Sequence, residues 1–224
     1  MKRYDGVFLD FYGTVASGDG GAVEAVCQQV VDDHSLPVSA AKLACRWGDR
    51  YFQAIEQMNG HGFRLLGEIE RDTLIETIAE YGPVPDVTVY VDRLNAYLAQ
   101  PPLFEEIHEV FAQLDLPVCI VSNADEYELR TAIAHHSLPL DNIVTSESAR
   151  SYKPDAAIFT HALNVTGWRP DRVLHVGDSL HSDVSGAHAA GLEAAWVHRV
   201  GRIKDIGTGI PDYTWTDLRP LLEL

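Results

Sequence analysis

Positive charge and cysteine are both scarce in this chain of 224 residues. It has 17 Lys and Arg residues against 33 Asp and Glu, a formal net charge of -16, and only four of the cations are lysines. No basic stripe remains to neutralise a phosphate backbone, so nucleic acid is not expected as a partner. Cys27, Cys45 and Cys119 are odd in number and show no paired metal spacing. They read as reduced thiols of a cytoplasmic protein, with Cys119 filling a buried strand. No apolar run approaches the ~20 residues that cross a bilayer, and the N-terminus leads straight into a strand pattern, so no membrane association is expected. Hydrophobic residues make up 46% of the chain, enough for a sizeable core, which excludes global disorder. The length suits one large domain, or a core with an inserted subdomain.

Two short apolar runs each deliver aspartate into a turn. Val7-Phe8-Leu9 leads to Asp10, with Gly13 following, and Val173 to Val176 leads to Gly177-Asp178, with Asp183 five residues beyond. The carboxyl ends of buried strands are where open α/β sheets place chemistry. Three clustered carboxylates raise one another's pKa unless a cation sits among them, and an oxygen-only set suits magnesium.

Residues 18–100 read as mostly helical. Ala22, Val23, Val26, Val30 and Val31 form an apolar stripe ending near Leu36-Pro37, and Ser39 is the expected N-cap of a second helix reaching about Met58. A third helix is expected from Gly67 to Tyr81 and a fourth from Asp86 to Leu98, closed by Pro101-Pro102. Beyond these prolines a helix is expected from Glu105 to Leu114, helices then alternate with strands at Val118–Ser122, Ile143–Thr145, Val173–Val176, Ala194–His198 and Tyr213–Trp215, and a helix closes the chain. The alternation implies an α/β fold, a Rossmann-like parallel sheet with helices on both faces. The expected division is a core of residues 1–17 and 101–224 interrupted by a helical insertion of residues 18–100.

The ordered motifs Asp10-Phe11-Tyr12-Gly13-Thr14, Val121-Ser122-Asn123, Tyr152-Lys153-Pro154-Asp155 and Gly177-Asp178-Ser179 through Asp183 together resemble the haloacid dehalogenase-like hydrolase superfamily. The resemblance implies an inserted helical cap, a nucleophile at Asp10 and a substrate-holding hydroxyl at Thr14. It implies phosphoryl or carboxylate binding by Ser122 and Asn123, and charge neutralisation by Lys153. It also implies a Mg2+ site made by Asp10, the Tyr12 backbone carbonyl, Asp178, and Asp183 acting through water. One departure stands out: phosphatases of the superfamily carry an aspartate as proton donor where this chain has Tyr12. Tyrosine there resembles the metal-independent 2-haloacid dehalogenases, whose fourth motif typically carries Ser-Asn rather than Gly-Asp.

The leading expectation is therefore a Mg2+-dependent phosphatase of a small anionic metabolite, working through an aspartyl-phosphate on Asp10. The alternatives are a 2-haloacid dehalogenase in which Asp183 activates water, and a weakly active member that binds a phosphorylated ligand. In the insertion, Arg46, Arg50 and Arg64 are candidate anion clamps, and Trp47, Tyr51 and Phe63 candidate cavity walls. Lys42 reads as a surface residue, His181 as a neighbour of the pocket, and His135-His136 as solvated.

Overall fold

The computed structural model describes residues 3–199 and 209–224. Strand β1 (Gly6–Leu9) is buried at every position, as befits the centre of a sheet covered on both faces. The other strands are β2 (Val118–Ser122), β3 (Asn142–Thr145), β4 (Val173–Gly177), β5 (Glu193–Val197) and β6 (Tyr213–Trp215). They lie in the order β3-β2-β1-β4-β5-β6, every pair parallel. Chain order reverses beside β1, which makes its carboxyl end the switch point where such sheets open a crevice. Leu9 aligns with Ile120 of β2 and Val176 of β4, so Asp10, Ser122 and Asp178 emerge at nearly one level on that edge.

Side chains alternate across the sheet with a period of two. Val7 and Leu9 join Ile120, Leu174 and Val176 on one face, while Phe8 joins Cys119, Val121 and Ala194 on the other. Each buried Val, Leu, Ile or Phe among them contributes about 1.5–3 kcal/mol by leaving water. Helices cover both faces: α5 (Ile107–Gln113), α6 (Glu126–His135), α7 (Ser146–Ala149), α8 (Ala156–Thr166) and α9 (Gly186–Ala189).

Between β1 and β2 come α1 (Asp19–His34), α2 (Ala40–Gln57), α3 (Leu66–Ile78) and α4 (Thr88–Ala99). These four bury a hydrophobic cluster of their own, including Val26, Leu43, Trp47, Leu74 and Leu94. Ser39 caps α2 as expected, its hydroxyl accepting from Lys42 N–H. The fourth helix begins two residues later than the pattern suggested. Asp86 stays outside it and accepts hydrogen bonds from the N–H and hydroxyl of Thr88.

Two other differences have local causes. The helix expected from Glu105 starts at Ile107, with the Glu106 carboxylate turned inward to Arg199 and to Leu218 N–H. The closing segment Arg219–Glu223 is 3-10 rather than α-helical.

Candidate active site

Asp10 leaves β1 into a tight turn in which Val15 and Ala16 N–H both donate to Phe11 O and Gly13 takes φ of 93°. That φ lies in the left-handed region where glycine carries no Cβ penalty. The turn brings Thr14 Oγ1 back to donate to Asp10 Oδ2 at 3.0 Å, while Ser122 Oγ reaches Oδ1 at 3.3 Å from the end of β2. Asp10 itself is only 5% exposed.

Lys153 is buried and donates to Asp10 Oδ1 at 2.7 Å and to Asp183 Oδ1 at 2.6 Å. Asp183 sits on a wide π-type turn, Leu180–Ser185, where the N–H groups of both Asp183 and Val184 donate to Ser179 O. Turns of this kind recur at functional sites because they re-aim a side chain. Here the Asp183 carboxylate folds back over Gly177 and accepts Ser179 N–H at 3.0 Å. A Cβ on Gly177 would lie 2.1 Å from Asp183 Cγ, so the approach requires glycine. One oxygen each from Asp10, Asp178 and Asp183 lies within 4.8 Å of the other two.

The charges are unequally held. Burial pushes the Asp10 carboxyl up, and Lys153 pulls against it. Burial acts on Asp183 too, but Lys153 and His175 outweigh it and hold that carboxyl well below the usual range. Burial disfavours the Lys153 ammonium, yet the two carboxylates raise its pKa above the ordinary lysine value. One ammonium thus serves two buried carboxylates, with a third, Asp178, alongside.

Asn123 directs its side chain onto the backbone of Lys153. Its side chain accepts Lys153 N–H at 2.7 Å and donates to Lys153 O at 3.1 Å, so it fixes the loop that aims Lys153. Tyr12 turns its hydroxyl to donate to Leu98 O of α4 at 2.8 Å. Burial, then Glu128, drives its phenol far above the usual range, so it holds its proton at neutral pH.

Arg46 forks onto Glu80, Arg50 pairs with Glu76 and Glu80, and Arg64 pairs with Asp72 and Glu68. These acidic neighbours engage all three guanidinium groups, and among the described residues none of the three pairs with Asp10, Asp178 or Asp183. Trp47 is buried in the core of the insertion, its indole donating to Glu70 O and Thr73 Oγ1. Phe63 stacks on Tyr152 with ring centroids 5.3 Å apart. His181 is exposed and pairs with Glu56 across to α2. His136 is more than solvated, since its ring bonds Pro101 O at 2.6 Å.

Two residues escaped the sequence reading. His175, in the middle of β4, is fully buried, and burial lowers its pKa. A neutral His175 donates from Nε2 to Asp183 Oδ1 at 2.9 Å, while Nδ1 has no partner among the described residues. The available signal was a histidine in an otherwise apolar buried strand, on the same face as Gly177.

Glu70 of α3 is the second: buried, with Oε2 unpaired among the described residues. Burial, then Asp125 and Glu128, pushes its carboxyl up to about 8. Because the folded state keeps this proton longer than the unfolded chain, stability falls as pH rises from the ordinary carboxylate range to about 8. The loss is on the order of a few kcal/mol. Glu70→Gln is expected to flatten that fall and to melt higher than wild type at pH 8.5. Urea unfolding at pH 5 and pH 8.5 checks this, and equal pH losses in the two proteins would refute it.

The sheet order, the insertion after β1 and these motif residues can be set beside known proteins. The haloacid dehalogenase-like hydrolase family model matches residues 4–191. The chain belongs to that family. An (S)-2-haloacid dehalogenase of Pseudomonas sp. (strain YL) is 25% identical over the whole of this chain and 95% of its own length. The solved L-2-haloacid dehalogenase RSc1362 superposes with a TM-score of 0.82 at 23% identity, covering 99% of this chain and 98% of that one. The putative HAD-hydrolase YfnB of Bacillus subtilis, solved bound to magnesium, gives 0.77 at 21% identity, with 99% and 98% covered. At these identities the superpositions speak to the fold. The relatedness along the whole chain leans toward the dehalogenase expectation more than toward the phosphatase one.

Among the described residues no helix is long and apolar enough to cross a membrane.

Proposed function

We propose that this hydrolase is a metal-assisted phosphohydrolase of small anionic molecules whose leaving group departs without being protonated. The observation that carries the reading is the carboxylate trio of Asp10, Asp178 and Asp183 within 4.8 Å, with Lys153 bonded to two of them. The oxygen-only donor set fits a hard divalent ion: Asp10 and Asp178 would hold Mg2+, with Asp183, already bonded to Lys153, His175 and Ser179 N–H, adding charge behind them. When bound, such an ion supplies positive charge beside a transferring phosphoryl group. The Tyr12 backbone carbonyl completes the set in this reading.

The chemistry falls to the chain's own groups. An Asp10 carboxylate oxygen attacks phosphorus, and the bond from phosphorus to the leaving oxygen breaks with its electron pair staying on that oxygen. Lys153, bonded to the nucleophile, offsets the charge. Water then attacks the phosphorus of the aspartyl-phosphate, the bond from phosphorus to the Asp10 oxygen breaks, both water protons leave with the phosphate as H2PO4−, and the Asp10 carboxylate is restored. Thr14 and Ser122 fix the orientation of Asp10. With the Tyr12 phenol far from titrating, no group at that position donates a proton to the leaving oxygen, so acyl and aryl phosphates are the favoured class.

A second reading has its own support. Tyr12 and the whole-length (S)-2-haloacid dehalogenase relatives both favour attack of Asp10 on a halogen-bearing carbon. Against it stand the Asp178 carboxylate, which repels a carboxylate substrate and a departing halide, and the engagement of Arg46, Arg50 and Arg64 by acidic neighbours.

Product release from aryl phosphates, acyl phosphates and 2-haloacids, each with magnesium and with EDTA, tests the choice. Phosphate release that EDTA abolishes and Asp178→Asn lowers by at least ~10²-fold is expected. Halide release indifferent to EDTA and to Asp178→Asn would replace the phosphatase reading by the dehalogenase one.

A further inference from the structure

His175 is a buried titratable group that the proposed chemistry leaves unused. It lies in the middle of β4, level with Phe8 of β1 and Ala194 of β5, and is fully buried. Phe159 of α8 meets its ring edge-on, with centroids 4.9 Å apart and planes at 84°, so packing holds the plane of the imidazole. As filling for a strand, a histidine is a poor choice here. Its Nδ1 is buried with no partner among the described residues, and a buried acceptor left unpaired destabilises the fold.

The ring's one polar contact is with Asp183. His175 Nε2 lies 2.9 Å from Asp183 Oδ1, the same oxygen that accepts from Lys153 Nζ at 2.6 Å, while Oδ2 accepts Ser179 N–H at 3.0 Å. A lone pair on Nε2 would face the carboxylate, so Asp183 selects the tautomer with its proton on Nε2. Gly177, two residues past His175 on the same face of β4, leaves the space that the carboxylate enters. Lys153 meanwhile has two acceptors, Asp10 Oδ1 at 2.7 Å and Asp183 Oδ1 at 2.6 Å. A second donor on Asp183 Oδ1 shares that oxygen's charge, so the ammonium stays divided between the two carboxylates instead of settling on Asp183.

We infer that His175 is a positioning residue of this active site: by holding Asp183 from inside the sheet, it keeps Lys153 on the nucleophile Asp10. The role does not depend on the phosphohydrolase reading, because the contact of Lys153 with Asp10 serves attack on phosphorus and attack on carbon alike.

The test compares His175→Gln with His175→Met. These two side chains have the same length and nearly the same shape, but only glutamine places an N–H at the reach of the imidazole Nε2. Turnover is measured on p-nitrophenyl phosphate with magnesium and on 2-chloropropionate with EDTA, alongside melting temperatures. A second arm labels lysine with nitrogen-15 and follows the Lys153 ammonium resonance, assigned by its loss in Lys153→Met. The glutamine variant is expected to keep kcat within about fivefold of wild type. The methionine variant should lose about 10- to 100-fold in kcat, with KM changed by under about threefold. It should also melt at or above the glutamine variant, since it buries no amide. The Lys153 resonance should shift in His175→Met and return toward its wild-type position in His175→Gln. Packing alone predicts the opposite order of activity, because the amide would then be the misfit. Equal turnover by the two variants, or faster turnover by methionine, therefore overturns the inference, as does a loss confined to KM. No turnover of either substrate by wild type overturns both readings of the reaction and leaves the Lys153 resonance to decide. An unshifted resonance in His175→Met then removes the positioning role. If His175→Met does not fold, His175→Leu takes its place in every comparison.

Discussion

Lys153→Met is expected to lower stability by about 3–5 kcal/mol at pH 7.5 and to reduce turnover by at least ~10³-fold. The ammonium is bonded to Asp10 and Asp183, both buried, and methionine fills similar space without charge. Two carboxylates then face each other with only a neutral His175, Ser122, Thr14 and Ser179 N–H to hold them. A loss of that size is a large part of the ~5–15 kcal/mol that holds a typical domain together. The pH dependence has a definite sign. Without Lys153, at least one carboxyl keeps its proton in the folded state more tightly than in the unfolded chain, so the variant gains stability as pH falls. Urea unfolding in EDTA at pH 7.5 and pH 5 reads both effects. A variant as stable as wild type at pH 7.5 would mean that the pair contributes no net stability here.

The second large effect belongs to Tyr12→Asp. An aspartate two residues past the nucleophile restores a group able to protonate a leaving oxygen, in surroundings whose burial favours the protonated acid. Alkyl phosphate turnover is expected to rise by about 10²–10⁴-fold, while aryl and acyl phosphates change little because their leaving groups need no proton. The cost is the hydrogen bond from Tyr12 to Leu98 O at the end of α4, about 1 kcal/mol. Rates across a series of phosphate esters of graded leaving-group acidity make the comparison. An unchanged dependence on leaving group would show that position 12 does not govern proton delivery.

These predictions lean on features of unequal legibility. Asp10, Ser122, Lys153, Asp178 and Asp183 were readable because each follows a short apolar run or sits in an ordered motif, and a parallel sheet carries such strand ends to one edge. The alternation of strands and helices after Pro101-Pro102 was readable for the same reason: period and punctuation are local. Helix limits were less so. Thr88 rather than Asp86 opens α4, and Ile107 rather than Glu105 opens α5, because side chains from Asp86 and Glu106 found partners the pattern does not display.

By itself, then, the sequence determined the α/β class, the inserted helices, the acidity and the carboxylates that meet at the switch point, since all follow from local periodicity and motif order. Tertiary structure decided what lies beside those carboxylates. It turned Asn123 onto the Lys153 backbone, drew Arg46 and Arg64 to acidic neighbours on the insertion, set His175 behind Asp183 and buried Glu70 within the electrostatic reach of Asp125 and Glu128. Most of those outcomes join residues tens of positions apart, and none of them follows from local periodicity. Electrostatics and burial act through space, so only the folded chain brings the competing groups together.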